Sequence, residues 1–326
     1  PTHTWSPTVN CNPTEVMTYT LSGMKAGSIA AEGTTIFVAD VDNGCVRAFD
    51  AVKGSYLGST GTGTYQEYGP YSVAVRDGYL YSGNRVGSGI VRWPISDLNS
   101  PTTIATDCQN VFSLSFDADG NLWAGSTTRV YCASYSSGYS DVVSIGAGGG
   151  TAALNDFNMA MGLMPVGNDT LYVADSHNHR IVKWEKAGGV WTAVGVVAEN
   201  LMTNWLPMQM ALGTMTIDST VINVAHVVDE SGSWRIFNMS CEPWVAWSRS
   251  IGGTDRGIVL DGDAAYVSGS FAGNVAVKRY EIPEETCLSD LMTCLSPTWT
   301  PTHTFTPTPT HTWSPTVNCN PTEVMT

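Results

Sequence analysis

The feature that most restricts how this chain can fold is a short strand motif that returns six times. The copies are Ile36–Asp40, Leu80–Asn84, Leu122–Ser126, Leu171–Asp175, Ile222–His226 and Ala265–Gly269. Each is an apolar run ending on a small or polar residue. Their second residues stand at 37, 81, 123, 172, 223 and 266, with spacings of 44, 42, 49, 51 and 43 residues. A period of about 40–50 residues built from three or four strands cannot bury its own faces and must stack on its neighbours. Turn breakers fall between the strands, as at Asp77-Gly78, Asp119-Gly120 and Asp261-Gly262. Only 13% of residues are charged, and there are 33 glycines, which fits short strands and tight turns. The expected fold is all-β: a six-bladed β-propeller of four-stranded antiparallel blades.

The alternation inside each motif agrees. Small residues (Ala39, Gly83, Ala124, Ala174, Ala225) fit beside large ones (Phe37, Tyr81, Trp123, Tyr172), as strands that pack on neighbouring blades require. Blade six supplies only three strands, Arg256–Leu260, Ala264–Ser268 and Val275–Glu281, while Glu15–Leu21 is spare at the front. Residues 15–21 are therefore expected to close the ring as the outer strand of blade six, with the propeller spanning 15–286.

The most regular copy reads Leu171-Tyr-Val-Ala-Asp-Ser-His-Asn-His-Arg-Ile-Val-Lys-Trp184, and blade one follows it with Phe37-Val-Ala-Asp40, Asn43 and Cys45-Val-Arg-Ala-Phe49. This resembles the NHL-repeat family over roughly residues 20–283, with blades two, three, five and six degenerate. The resemblance implies that Asp40, Asp175, Asn178, His179 and Arg180 are blade-motif residues at the strand end and the turn after it. Asp175 and Arg180 are expected to pair across that turn. It speaks for architecture and says little about activity.

Residues 1–18 and 309–326 are identical, PTHTWSPTVNCNPTEVMT, which sets a period of 308 residues. Either the unit recurs in a tandem array, or one linker sequence flanks a single unit on both sides. The linker occupies 1–14, copied at 309–322. A Cys-containing segment and linker run over 287–322, and 323–326 begin the next unit. Pro at 297, 301, 307, 309 and 315, with Thr at nearly every second position, favours extended polyproline II. Thr beside Pro is the composition of O-glycosylated stalks. The O-glycosylation candidates are Thr2, Thr4, Ser6, Thr8, Thr298, Thr300, Thr302, Thr304, Thr306, Thr308, Thr310, Thr312, Ser314 and Thr316; Asn168 and Asn238 begin N-glycosylation triplets. Such linkers resemble those of secreted bacterial surface proteins.

Eight cysteines show no zinc-type spacing. An exported setting would favour disulfides: Cys11 with Cys287 or Cys294 at the closure, and Cys108 with Cys132 within blade three, the alternative there being two buried thiols. The net charge of -14 speaks against nucleic acid, and no apolar run is long enough to span a membrane. His177 and His179 lie close in sequence but lack a third ligand nearby. No cofactor is expected beyond covalent glycans; a channel calcium is a lesser alternative. Propeller enzymes place carboxylates, Asn or His around the central channel, where Asp40, Asn84, Asp175 and His226 would be the candidates. Gly146–Gly150 reads as a flexible loop without the following Lys-Ser/Thr of a phosphate loop.

The sequence thus points first to a structural extracellular protein, a propeller bead of a fibre or surface appendage that self-associates with identical units. The alternatives are a secreted hydrolase or lyase, or a carbohydrate-binding adhesin, tethered by the linker. A channel plugged by apolar side chains favours the bead, convergent carboxylates the enzyme, and exposed tryptophan clusters the adhesin.

Overall fold

The computed structural model describes residues 14–61, 69–84, 88–202, 205–217, 220–241 and 244–282. The first strand is β1 (Thr14–Thr20). Blade one follows as β2 (Ala26–Glu32), β3 (Thr35–Asp40), β4 (Cys45–Asp50) and β5 (Tyr56–Ser59). Blade two is β6 (Pro70–Arg76), β7 (Tyr79–Asn84), β8 (Ser88–Pro94) and β9 (Thr102–Gln109). Blade three is β10 (Ser113–Phe116), β11 (Leu122–Gly125), β12 (Val130–Ala133) and β13 (Val142–Ile145). Blade four is β14 (Ala160–Val166), β15 (Thr170–Asp175), β16 (Arg180–Ala187) and β17 (Val190–Glu199). Blade five is β18 (Pro207–Ile217), β19 (Thr220–Asp229), β20 (Ser233–Asn238) and β21 (Val245–Ser250). Blade six contains β22 (Thr254–Asp261), β23 (Ala264–Phe271) and β24 (Asn274–Glu281).

Six four-stranded antiparallel sheets result, and each recurring motif is the second strand of its sheet. In the sixth the order is β1-β24-β23-β22, so the front strand is the outer strand of the last blade. It starts one residue before the expected position and pairs Thr14 with Glu281 and Thr20 with Ala276. The first strands of the blades touch in cyclic order, β2 to β6, β10, β14, β18, β22 and back to β2. The ring of six is closed.

The core is six slabs, one between each pair of blades. Phe37 and Ala39 pack with Val73, Leu80 and Trp93 of blade two, while Ile36 and Val38 pack with Tyr266 and Val277 of blade six. Successive residues of one strand thus serve two interfaces, the period-two rule at work. Glycine lets the inner strands approach. A Cβ on Gly162 would lie 2.1 Å from the Met208 carbonyl oxygen of the next blade, and one on Gly257 would lie 2.7 Å from the Ile29 nitrogen.

Candidate functional site

Each blade is a meander, so the turn after its second strand and the loop into the next blade lie on one ring face. Asp40, Asp175 and Asp229 end second strands on that face, and all three are buried. Asp40 accepts from the Asn43 backbone and side-chain amides and pairs with Arg47 at 2.6 Å. Asp175 accepts from Asn178 Nδ2 at 2.9 Å, from the Asn158 amide at 2.7 Å and from Arg180 Nε at 2.8 Å. Burial holds the Asp175 carboxyl above the usual range against the opposing pull of those donors. The expected Asp175–Arg180 pair is therefore present. Asp229 repeats the pattern with the Ser231 and Ser233 amides, Arg235 Nε at 3.3 Å and Trp205 Nε1 at 3.2 Å. Sequence reading placed His226 at this position. The strand runs three residues further, and Asp229 takes the part; the trailing Arg235 was the available signal.

These clasps brace loops. Arg180 donates to the carbonyls of Ala152, Ala153 and Asp156, and Asn178 Nδ2 to that of Thr151. Asp156 accepts from the amides of Gly149, Thr151 and Phe157 and from Thr151 Oγ1. Burial would raise its pKa, but these donations outweigh it and bring it down to about 2. The Gly146–Gly150 stretch is thus pinned by hydrogen bonds, a correction to its reading as a flexible loop. His179 sits at φ 58°, in the left-handed region, and its Nδ1 lies 2.7 Å from the Trp205 carbonyl oxygen, tying blade four to blade five. His177 is exposed. Among the described residues no three His, Cys, Asp or Glu side chains come together as a metal site.

His226 is fully buried and accepts from Trp234 Nε1 at 3.2 Å through Nδ1. Burial lowers its pKa to about 3, so it is a neutral core residue. The Asn84 carbonyl accepts from the Val111 amide, in the loop that leads into blade three. Asp40, Asp175 and His226 thus bond to different partners in separate blades.

One apolar cluster draws on every blade. Val41, Tyr71, Phe112, Met161, Met208, Ile251 and Phe271, drawn from all six blades and their leading loops, belong to one buried apolar cluster. Tyr71 and Phe112 meet edge to face at 5.6 Å. Gln209 reaches across from blade five. Its Oε1 accepts from the Ile29 amide at 3.2 Å and the Ile258 amide at 3.3 Å, and its Nε2 donates to the Ile29 carbonyl at 3.1 Å. Arg256 of blade six donates to the Tyr71 hydroxyl and to Glu230 at 3.2 Å. Nothing in the sequence pattern announced this cluster, because neighbouring members are 20 to 49 residues apart along the chain.

The modification candidates separate by exposure. Asn168 lies in the exposed turn between β14 and β15. Asn238 is fully buried, its Oδ1 accepting from the Ser240 amide; this corrects its standing as a glycosylation candidate, since the folded ring leaves no room for a sugar there. All the Thr and Ser candidates, with Cys11, Cys287 and Cys294, lie outside the described residues. Cys108 and Cys132 are free thiols, a correction to the expected pair. Cys108 is on β9 of blade two and Cys132 on β12 of blade three, and burial pushes both to about 12. Among the described residues no helix is long and apolar enough to cross a membrane.

No protein-family model matches the chain, and no curated protein matches it. Among solved structures it is similar to the one described as "Structure of U3-55K", with a TM-score of 0.60 and 11% identity, covering 82% of this chain and 98% of that one. A likeness at that identity shows the fold, a β-propeller, and no more.

Proposed function

We propose that this chain is a structural unit of an extracellular fibre or surface appendage: an NHL-like propeller bead carried on extended, O-glycosylated Thr/Pro linkers and associating with identical units. The single observation that carries the reading is the complete recurrence of residues 1–18 at 309–326. It extends past the low-complexity repeat into the strand that closes the ring. Two features of the ring support it. Side chains from every blade join one buried apolar cluster, which suits a bead. Thr14 and Glu281 stand opposite each other, so both flanking segments meet the ring at one edge. The Asp–Asn–Arg clasps of blades one and four support the NHL kinship.

The linker residues are spaced for reach. Some twenty residues of polyproline II span roughly 60 Å at about 3.1 Å each, and sugars on alternate threonines would hold them extended. The tethered-enzyme reading lacks comparable support, because Asp40, Asp175 and His226 bond to partners in their own blades. The adhesin reading lacks it too: of the tryptophans whose side chains are described, all but Trp191 are buried.

Intact mass measurement and imaging of native material test the proposal together. Added mass in hexose-sized steps on the linker threonines, and rings repeating along one polypeptide, are the expected results. A bare linker on a dispersed single ring would overturn it.

A further inference from the structure

The first two strands of blade five outrun those of blade four. β18 and β19 have 11 and 10 residues, whereas β14 and β15 have 7 and 6. Asp229 and Asp175 hold equivalent clasps on one ring face, so the extra residues of β19 project from the opposite face. At about 3.3 Å each they extend it by roughly 13 Å. The projecting hairpin stands as a wall beside the seam with blade four.

A cleft of about 300 Å³ opens at that seam. Ala225 and Val227 pack with Met164 and Tyr172 of blade four, and strand alternation turns Val221 and Asn223 the same way. These two line one side of the cleft. Val166 and Thr170, which flank the β14–β15 turn, line the other. Tyr172 and Met239 supply an apolar base. Tyr172 is buried, and its ring is set against Trp244 with centroids 4.7 Å apart.

The polar groups define what fits. Among the described residues, the Thr170 hydroxyl, the Asn223 amide and the Ser240 hydroxyl have no hydrogen-bond partner, and all three line this cleft. Lys183 lines it too, with its Nζ 3.0 Å from Glu185 Oε1. No Asp or Glu is among the lining residues. A cation therefore finds no carboxylate there, and an anion meets an ammonium already paired. What remains is hydroxyl and amide hydrogen bonding around an apolar base. That combination suits a neutral sugar, whose hydroxyls both donate and accept while its C–H face lies on Tyr172 and Met239. The volume is at the small end of the roughly 300–1,000 Å³ of small-molecule sites, which limits the occupant to monosaccharide size.

We propose that the seam between blades four and five binds a neutral saccharide, one ring at a time, with Thr170, Asn223 and Ser240 as its hydrogen-bonding partners. The sugar arrives either free or as the end of a glycan on another molecule. The site does not rest on the fibre reading; a bare linker would leave it standing.

The test is saturation-transfer NMR on the full chain with the methyl glycosides of glucose, galactose, mannose and N-acetylglucosamine, followed by titration. At least one should bind in the millimolar range, with the strongest transfer to its ring C–H protons. Asn223→Leu and Thr170→Val should each weaken it about tenfold, the worth of a hydrogen bond or two, without moving the thermal midpoint. Val143→Thr, on an exposed strand of blade three, should leave binding unchanged. If either cleft variant fails to fold, Ser240→Ala carries the same expectation. Binding of none of the four glycosides, binding that the cleft variants leave intact, or binding of glucuronate alone overturns the proposal. Titration with a mannosylated PTHTWSPT peptide separates the sources. Affinity equal to that of methyl mannoside assigns the site to the sugar alone, and higher affinity to a sugar presented on a linker; the site stands in both cases.

Discussion

Replacing Tyr19 by alanine should open the ring at its last seam. Along β1 the burial is uneven: Thr14, Glu15, Val16, Thr18 and Thr20 are exposed, Met17 is half-buried, and Tyr19 is buried at 7%. The Tyr19 ring packs over Gly54, where an added Cβ would fall 2.0 Å from it, and its hydroxyl donates to the Ala51 carbonyl at 2.5 Å. Removing a buried aromatic side chain costs about 3–5 kcal/mol, a large share of the 5–15 kcal/mol that stabilises a domain. Tyr19→Phe keeps the packing and loses one hydrogen bond, about 1 kcal/mol; Ala51 still accepts from Tyr266 at 3.3 Å. Glu15→Ala removes an exposed pair with Lys278 at 3.0 Å, worth about 0.5 kcal/mol. Denaturant unfolding of the three variants should rank them in that order. Hydrogen exchange in Tyr19→Ala should accelerate first at the amides of β24 that face β1. A Tyr19→Ala cost below about 1 kcal/mol, or equal to that of Glu15→Ala, would refute the view that one anchor residue closes the ring.

Four further outcomes follow from the interior. His226 has its folded pKa depressed from an unfolded value of about 6.5 to about 3. Its contribution is fully present above pH 6.5 and is lost as pH falls towards 3. Between pH 8 and pH 5 it removes about 2 kcal/mol, a slope that thermal melts should show and His226→Gln should abolish. Gly162→Ala should cost about 3 kcal/mol by forcing the inner strands of blades four and five apart, read as a fall in denaturation midpoint. Arg180→Ala should leave the fold standing but expose the 146–157 loop, seen as new limited-proteolysis sites there. Cys108 and Cys132, with pKa values pushed to about 12, should resist alkylation at pH 8 until the chain is unfolded.

The parts of this molecule that were legible from sequence are those in which a local run carries the constraint. All six second strands could be placed because each feeds two interfaces, so both of its faces are apolar and its end is marked by a small or polar residue. The closing strand could be placed because blade six was one strand short. Other parts depend on contacts between distant segments. Asp229 was missed because β19 outruns β15, which shifted an alignment made from strand starts and gave its place to His226. Cys108 was assigned to blade three because nothing local distinguishes the last strand of one blade from the first of the next. The clustering of Tyr71, Met161 and Met208 could not be seen, since an aromatic or methionine at an inner-strand start reads as ordinary core until the ring brings those starts together.

The pairing of Thr14 with Glu281 has a mechanical side. A pull transmitted through the two flanking segments would enter and leave the ring at a single corner, keeping five blades off the load path. Because β1 and β24 are antiparallel, that pull meets them at a shared end and peels their hydrogen bonds one at a time instead of shearing the row together. Tyr19 stands five residues in as the stop. A string of such rings would lengthen in small, low-force steps at each corner and rezip when slack, with the beads hanging from the strand instead of bearing its tension.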